Sequence, residues 1–248
     1  MKIKMTGNDH GVGKIIVVEY PKSGGTWLVS MLAHSLNLPR RDIYISENIA
    51  ENGYDASKHP WYTDASSLGL PDSCIIKSHD FPDSARHRIP AKFVHLIRDG
   101  RDVIVSKYFF EKDFCVKNGI IDDFNIPFDD YVDMVSKEWS AFVESWLETD
   151  TVAFKYEELI VDAFSVLKDI YGHINVSQDD DSIIKGVNAF TKENMKKELG
   201  KAYKHNTFVR KGVVGDWRNY FTDRHVDVFK KNAGELLISL EYEENNKW

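Results

Sequence analysis

Two lysines, a histidine and two arginine-bearing strings are spaced so that they could converge on one anion. Lys22 stands in Tyr20-Pro21-Lys22-Ser23-Gly24-Gly25-Thr26-Trp27, after a β-rich run, Lys14–Glu19, and before an apolar stretch, Leu28–Leu32. Strand, glycine turn and helix in that order aim backbone N–H groups and a helix dipole at an anion, and Lys22 adds a mobile charge. The lysine precedes the glycines and no Gly-Lys-Ser/Thr ending follows, so this is not the ATP-binding loop in its usual order. The displacement argues for a phosphate-like group other than the γ-phosphate of ATP.

Arg98 follows another β-rich run, Phe93–Ile97, with Ser106 eight residues further on. A guanidinium and a hydroxyl suit a bidentate phosphate contact; alone, the string equally fits a solvated arginine beside a helix-capping Asp99. Ile75-Ile76-Lys77-Ser78-His79 ends a third run with a cation and the side chain best poised to take a proton near neutral pH. In Arg210-Lys211-Gly212-Val213-Val214-Gly215-Asp216-Trp217, adjacent cations and two glycines could fold over a phosphorylated ligand, although by itself this reads as a solvated charge run.

Positioning these groups takes strands and helices in alternation. The spacing predicts strands at Ile15–Glu19, Cys74–Lys77, Lys92–Ile97 and Thr151–Phe154. Phe128, Tyr131, Val132, Val135, Trp139, Phe142, Val143 and Trp146 share one face at intervals of three and four, which predicts a helix whose first turn holds Asp129 and Asp130. Another helix is expected from an N-cap at Thr222 through Val226, Phe229, Ala233, Leu236, Leu237 and Leu240. Strands separated by helices indicate an α/β fold with a central parallel sheet, in which ligands bind beyond the carboxyl ends of the strands. Lys22 and Lys77 both fall there. Asn37–Ser73, Asp113–Pro127 and about 200–214 read as loops, and the absence of repeats or linkers predicts one domain over residues 1–248.

Composition fits a globular enzyme: 248 residues, 42% hydrophobic and 29% charged. A net charge of −7 speaks against a nucleic-acid or anionic-membrane partner, since those surfaces call for clustered positive charge. Cys74 and Cys115 are too few for a disulfide framework or a cysteine-rich metal site. With no apolar leader and no run of membrane-spanning length, the expected location is the cytoplasm.

Taken together, these strings resemble the sulfotransferase superfamily, specifically the cytosolic type that uses 3′-phosphoadenosine 5′-phosphosulfate, and among these a bacterial member acting on small molecules. The resemblance runs from about Ile15 to Thr222, and Arg210 through Trp217 is its least accidental part. It implies that Lys22 meets the bridging oxygen between phosphate and sulfate, while Ser23, Gly24, Gly25 and Thr26 cradle the 5′-phosphate and Trp27 stacks on adenine. Arg98, Ser106, Arg210, Lys211 and Gly212 would hold the 3′-phosphate. His79 is similar to the family's general base, with Lys77 a further cation near the sulfuryl group. Tyr156 and Thr191 resemble its adenine contacts.

Three positions depart from the family pattern. Gly25 replaces a threonine frequent in animal members, Lys192 stands where an aromatic often covers adenine, and Asp223-Arg224-His225-Val226-Asp227 lacks the short dimer motif. A monomer and a homodimer therefore both stay open. The reaction implied is in-line transfer of a sulfuryl group to a hydroxyl or an amine. It is expected to need no metal, because that group carries less charge than a γ-phosphate and no strand ends in a metal-binding aspartate. A nucleotide-dependent kinase or phosphotransferase with a related loop is the rival enzyme reading, and a non-catalytic nucleotide-binding protein the rival outside enzymology. Trp61, Tyr62, Phe124 and the acids Glu47, Glu51, Asp64, Asp122 and Asp123 in the loops point to a partly apolar or cationic small acceptor rather than a polyanionic glycan.

Overall fold

A computed structural model describes residues 11–42, 71–84, 87–195, 197 and 210–248. Five strands form one parallel sheet: β1 (Lys14–Glu19), β2 (Arg40–Asp42), β3 (Cys74–Ser78), β4 (Ala91–Ile97) and β5 (Ala153–Lys155), in the order β2-β3-β1-β4-β5. The central strand is apolar on both faces because both are covered. Ile16 and Val18 pack with Ile76 beneath α2 (Gly100–Phe109), α3 (Phe128–Leu147) and α7 (Asp223–Ser239). Ile15 and Val17 pack with Ile75, Val94 and Leu96 beneath α1 (Gly25–Ser35), α4 (Tyr156–Val161), α5 (Ala163–His173) and α6 (Asp180–Ala189). The α/β expectation is met.

The register brings the functional strings to one edge of the sheet. Val18 pairs with Ser78 and Glu19 with Leu96, so the chain leaves β1, β3, β4 and β5 at the same end, at Tyr20, His79, Arg98 and Tyr156. The path moves from β3 to β4 across β1, which makes this end the switch point where such sheets bind ligands.

Helix α3 forms where periodicity places it, with Asp129 and Asp130 in its first turn and Trp139 wholly buried. Thr222 caps α7: its backbone N–H donates to Nδ1 of His225 at 3.0 Å, and Nε2 of His225 lies 2.8 Å from Asp129 Oδ1, which ties α7 to the start of α3.

Two expected loops need correction. The stretch Asn37–Ser73 contains β2, whose three residues Arg40-Arg41-Asp42 are polar as befits a short edge strand and so carry no β-signal. Residues 43–70, including Trp61, Tyr62 and the acids named there, lie outside the described residues. The stretch Asp113–Pro127 is not all loop: α2 runs on through a π-helical turn, Phe110–Cys115, and stays helical to residue 117. Phe110 and Phe114 stack there, with ring centres 5.0 Å apart and planes at 15°. Among the described residues, no helix is long and apolar enough to cross a membrane.

Candidate active site

The turn between β1 and α1 is held in a conformation few sequences accept. Lys22 has φ +76°, unusual for a residue with a side chain, and Gly24 has φ +104°. A Cβ on Gly24 would stand 2.6 Å from the ring of Tyr156, so glycine also lets that ring rest on the turn. Ser23 N–H donates to Tyr20 O at 3.1 Å and Trp27 N–H to Gly24 O at 2.9 Å. Helix α1 starts with no side-chain cap and no acid in its first turn, so its N-terminal dipole faces the cavity beyond the strand ends. A carboxylate does approach from outside the helix: Glu19, 2% exposed, accepts the N–H of Gly25.

Lys22 turns its ammonium over the ring of Phe110, 3.9 Å from the centroid, so the π-turn supplies a cation–π partner. Burial, with Lys77 and Arg98 nearby, pulls its pKa down to about 7 against the opposing pull of Glu19. Nζ of Lys77 donates to Thr26 Oγ1 at 3.3 Å, which joins the end of β3 to the phosphate loop. Nδ1 of His79 lies 2.9 Å from the carbonyl oxygen of Glu19. A carbonyl only accepts, so Nδ1 carries the proton and Nε2 is the basic nitrogen of the neutral ring. His95, within β4, is fully buried against Phe142 and Trp146, and burial pulls it down to about 3. It is no base at neutral pH.

Arg98 is a junction. Nη1 donates to Lys22 O at 3.1 Å, Nη2 to Val213 O at 3.2 Å, and the guanidinium lies 4.5 Å from the Tyr156 ring centre. Asp99 caps α2 by accepting from Arg101 N–H at 2.9 Å. Asp102, one turn on, accepts from Gly215 N–H at 2.6 Å and Trp217 N–H at 2.9 Å and so pins the late glycine loop to α2. Within that loop Asp216 pairs with both Arg210 and Lys211. Burial would raise its pKa, yet hydrogen bonds from Lys211, Arg210 and Asn219 outweigh it and hold the carboxyl down at about 2.

One cavity of about 250 Å³ is lined by Lys22, Gly24, Gly25, Thr26, Trp27, Lys77, His79, Arg98, Ser106, Tyr156, Arg210, Lys211 and Gly212, which five separate stretches of sequence supply. Ser23 and Thr191, also expected here, do not line it. Ser23 is 1% exposed, beneath the turn. Thr191 is exposed and caps the following helical turn, its Oγ1 accepting from Asn194 N–H at 3.3 Å, so that Lys192 and Met195 face the cavity instead. Trp27 meets Tyr156 edge-on, with centroids 6.2 Å apart, and donates from Nε1 to Phe190 O at 2.7 Å. Sequence reasoning did not name Glu19, Pro21, Phe110, Ile160, Met195 and Val213 as lining residues. Glu19 closes an apolar strand, where an acid reads as a solvent contact in the sequence; the others do not differ from core residues in type.

The donor set suits a doubly anionic nucleotide. Two buried donors on residues that line the cavity, Arg98 Nε and Arg210 Nε, have no hydrogen-bond partner among the described residues, where most such atoms find one. An anion among them would supply it.

Comparison with known proteins agrees in kind. The family model described as the sulfotransferase domain matches residues 13–240. Mouse (Mus musculus) sulfotransferase 1B1 is 27% identical, with 91% of this chain aligned to 84% of that protein. The 3-alpha-hydroxysteroid sulfotransferase of Cavia porcellus is 30% identical, over 90% and 83% of the two chains. Among solved structures, mouse sulfotransferase SULT7A1 complexed with PAP superposes with a TM-score of 0.70 at 22% identity, covering 93% of this chain and 89% of that one. Retinol dehydratase, in complex with androsterone and the inactive cofactor PAP, superposes with a TM-score of 0.69 at 19% identity, covering 92% and 81%. At those identities the structural likeness speaks for the fold.

Proposed function

The chain belongs to the sulfotransferase domain family, and from that premise we propose that it moves a sulfuryl group from 3′-phosphoadenosine 5′-phosphosulfate to a hydroxyl or an amine of a small molecule. The observation that carries the donor assignment is the meeting of Lys22, Lys77 and His79 in one cavity with Arg98 and Arg210, whose Nε atoms have no hydrogen-bond partner among the described residues.

In this reading, Nε2 of His79 takes the proton of the acceptor as its oxygen or nitrogen bonds to sulfur. The sulfur–oxygen bond to the 5′-phosphate breaks in line, and its electron pair stays on the phosphate oxygen. Lys22 and the N-terminus of α1 meet the charge that develops there, a contribution made mainly in the transition state. Lys77 supports the sulfuryl oxygens. Arg98, Ser106, Arg210, Lys211 and Gly212 hold the 3′-phosphate, and Trp27 and Tyr156 border the adenine. Positioning and fixed charge do most of the work, as in phosphoryl transfer. Phe110 lines the cavity, and Phe81, two residues after His79, is 46% exposed and packed edge-on against Phe142 at 5.4 Å, which favours an acceptor with an apolar face.

The test is thermal unfolding with adenosine 3′,5′-bisphosphate, AMP or ATP with Mg²⁺, followed by transfer assays with labelled phosphosulfate and a panel of phenols, alcohols and amines. The bisphosphate should stabilise the fold far more than AMP, because each added charge-assisted hydrogen bond is worth roughly 1.5–3 kcal/mol. Equal shifts from bisphosphate and AMP would remove the 3′-phosphate clamp. A larger shift from ATP would favour a kinase.

A further inference from the structure

Glu19 is the charged end of an apolar strand, and its carboxylate is buried against the first turn of α1. It accepts the N–H of Gly25, one of the backbone donors at the helix start. A Cβ at position 25 would overlap that carboxylate, so an acid at 19 and glycine at 25 are a matched pair: any side chain at 25 would expel the acid. Glu19 also acts on Lys22, where it offsets part of the effect of Lys77 and Arg98. The donor's 5′-phosphate, under the reading above, needs both the Gly25 N–H and Lys22. One N–H cannot serve two anions fully, and two anions in a dry cradle repel.

We propose that Glu19, housed by Gly25, is a built-in anion that competes with the 5′-phosphate for the head of the loop. This rests on the donor-site reading. The 3′-phosphate end then supplies most of the nucleotide affinity, and the 5′-phosphate adds little. The competition is strongest against the product, whose 5′-phosphate keeps the electron pair of the broken bond, so Glu19 hastens its departure.

Calorimetry on the full chain at pH 7 tests this with adenosine 3′-phosphate and adenosine 3′,5′-bisphosphate. In the wild type the 5′-phosphate should improve affinity by less than about tenfold, below the roughly 10–150-fold of a well-made charge-assisted contact. Glu19→Gln should tighten the bisphosphate by about tenfold or more and leave adenosine 3′-phosphate unchanged. Equal or weaker bisphosphate binding by Glu19→Gln overturns the proposal. Should that variant fail to fold, a wild-type 5′-phosphate gain above about tenfold overturns it instead. If the wild type binds neither nucleotide, the donor-site reading itself falls and takes the competition with it.

Discussion

The two ends of the cavity handle positive charge in opposite ways. At the α1 end, Lys22 sits in a left-handed backbone conformation, over an aromatic ring and beside other cations, and its pKa falls to about 7. At the late-loop end, Arg210 and Lys211 share Asp216, the loop is pinned by Asp102, and the Asp216 carboxyl is held at about 2. One cation is kept uncomfortable, and the other two are paired with a carboxylate. Strain and a perturbed pKa belong where charge must respond during a reaction, and satisfied networks where a ligand must be gripped. The difference is what the proposed function calls for, with chemistry at the first end and anchorage at the second.

Substitutions at the first end should therefore strike turnover. His79→Ala is expected to lower kcat by on the order of a hundredfold or more with donor Kd nearly unchanged. Lys22→Ala should reduce kcat by about a hundredfold and Kd only modestly, and Lys22→Arg should rescue poorly because a planar fork replaces a compact ammonium. Steady-state kinetics beside calorimetry separates the two parameters; a Lys22→Ala enzyme with weakened Kd and intact kcat would erase the contrast between the ends.

Arg210→Ala should do the reverse, weakening adenosine 3′,5′-bisphosphate by about tenfold to a hundredfold while kcat at saturating donor holds. AMP binding should be indifferent to it. Loss of kcat without loss of affinity would mean that the late loop takes part in the chemistry.

The contrast also has a pH signature. With its pKa lowered from 10.5 to about 7, Lys22 is half deprotonated near neutrality, and a bound anion restores its proton. Above pH 7, donor binding should take up a fraction of a proton and weaken, by no more in total than the modest loss that Lys22→Ala shows. Calorimetry in buffers of different ionisation enthalpy measures the uptake, and Lys22→Met should abolish it. Uptake surviving in Lys22→Met would place the titration elsewhere. The late-loop end responds only to acid. The depressed pKa of Asp216 contributes stability that is present above pH about 4 and lost as pH falls through about 2. Asp216→Asn should cost on the order of 1–3 kcal/mol at pH 7 and nothing near pH 2, as read by denaturant unfolding; a cost that persists at pH 2 would point to shape rather than charge.

The strand-end strings were legible because each joins an apolar run to residues whose chemistry differs from the core, as in Lys77-Ser78-His79 after Cys74-Ile75-Ile76. The sheet order was not, since no residue type reports which strand lies beside β1. The edge strand β2 is polar and short, and the π-turn carries no residue preference that separates it from loop. Thr191 shows the limit at a single position: the family pattern names an adenine contact, while the local hydrogen bond to Asn194 makes it a cap and turns Lys192 and Met195 inward. Glu19 was passed over because an acid at a strand end reads as a solvent contact until the helix start that covers it is known.

The π-turn at Phe110–Cys115 has a consequence for how this site could diverge. A π-turn is the footprint of one extra residue in an α-helix, and residues on its two sides are offset by about 100° from an uninterrupted helix. Loss of a single codon in that turn would let the helix close normally and swing either Phe110 or the residues after it to another bearing. The ring under Lys22 and the aromatic stack beside it would change partners, while the sheet, the phosphate loop and the late loop stayed as they are. On the proposed reading, a lineage carrying this feature holds a one-residue dial that acts on the acceptor side and on the ring beneath Lys22.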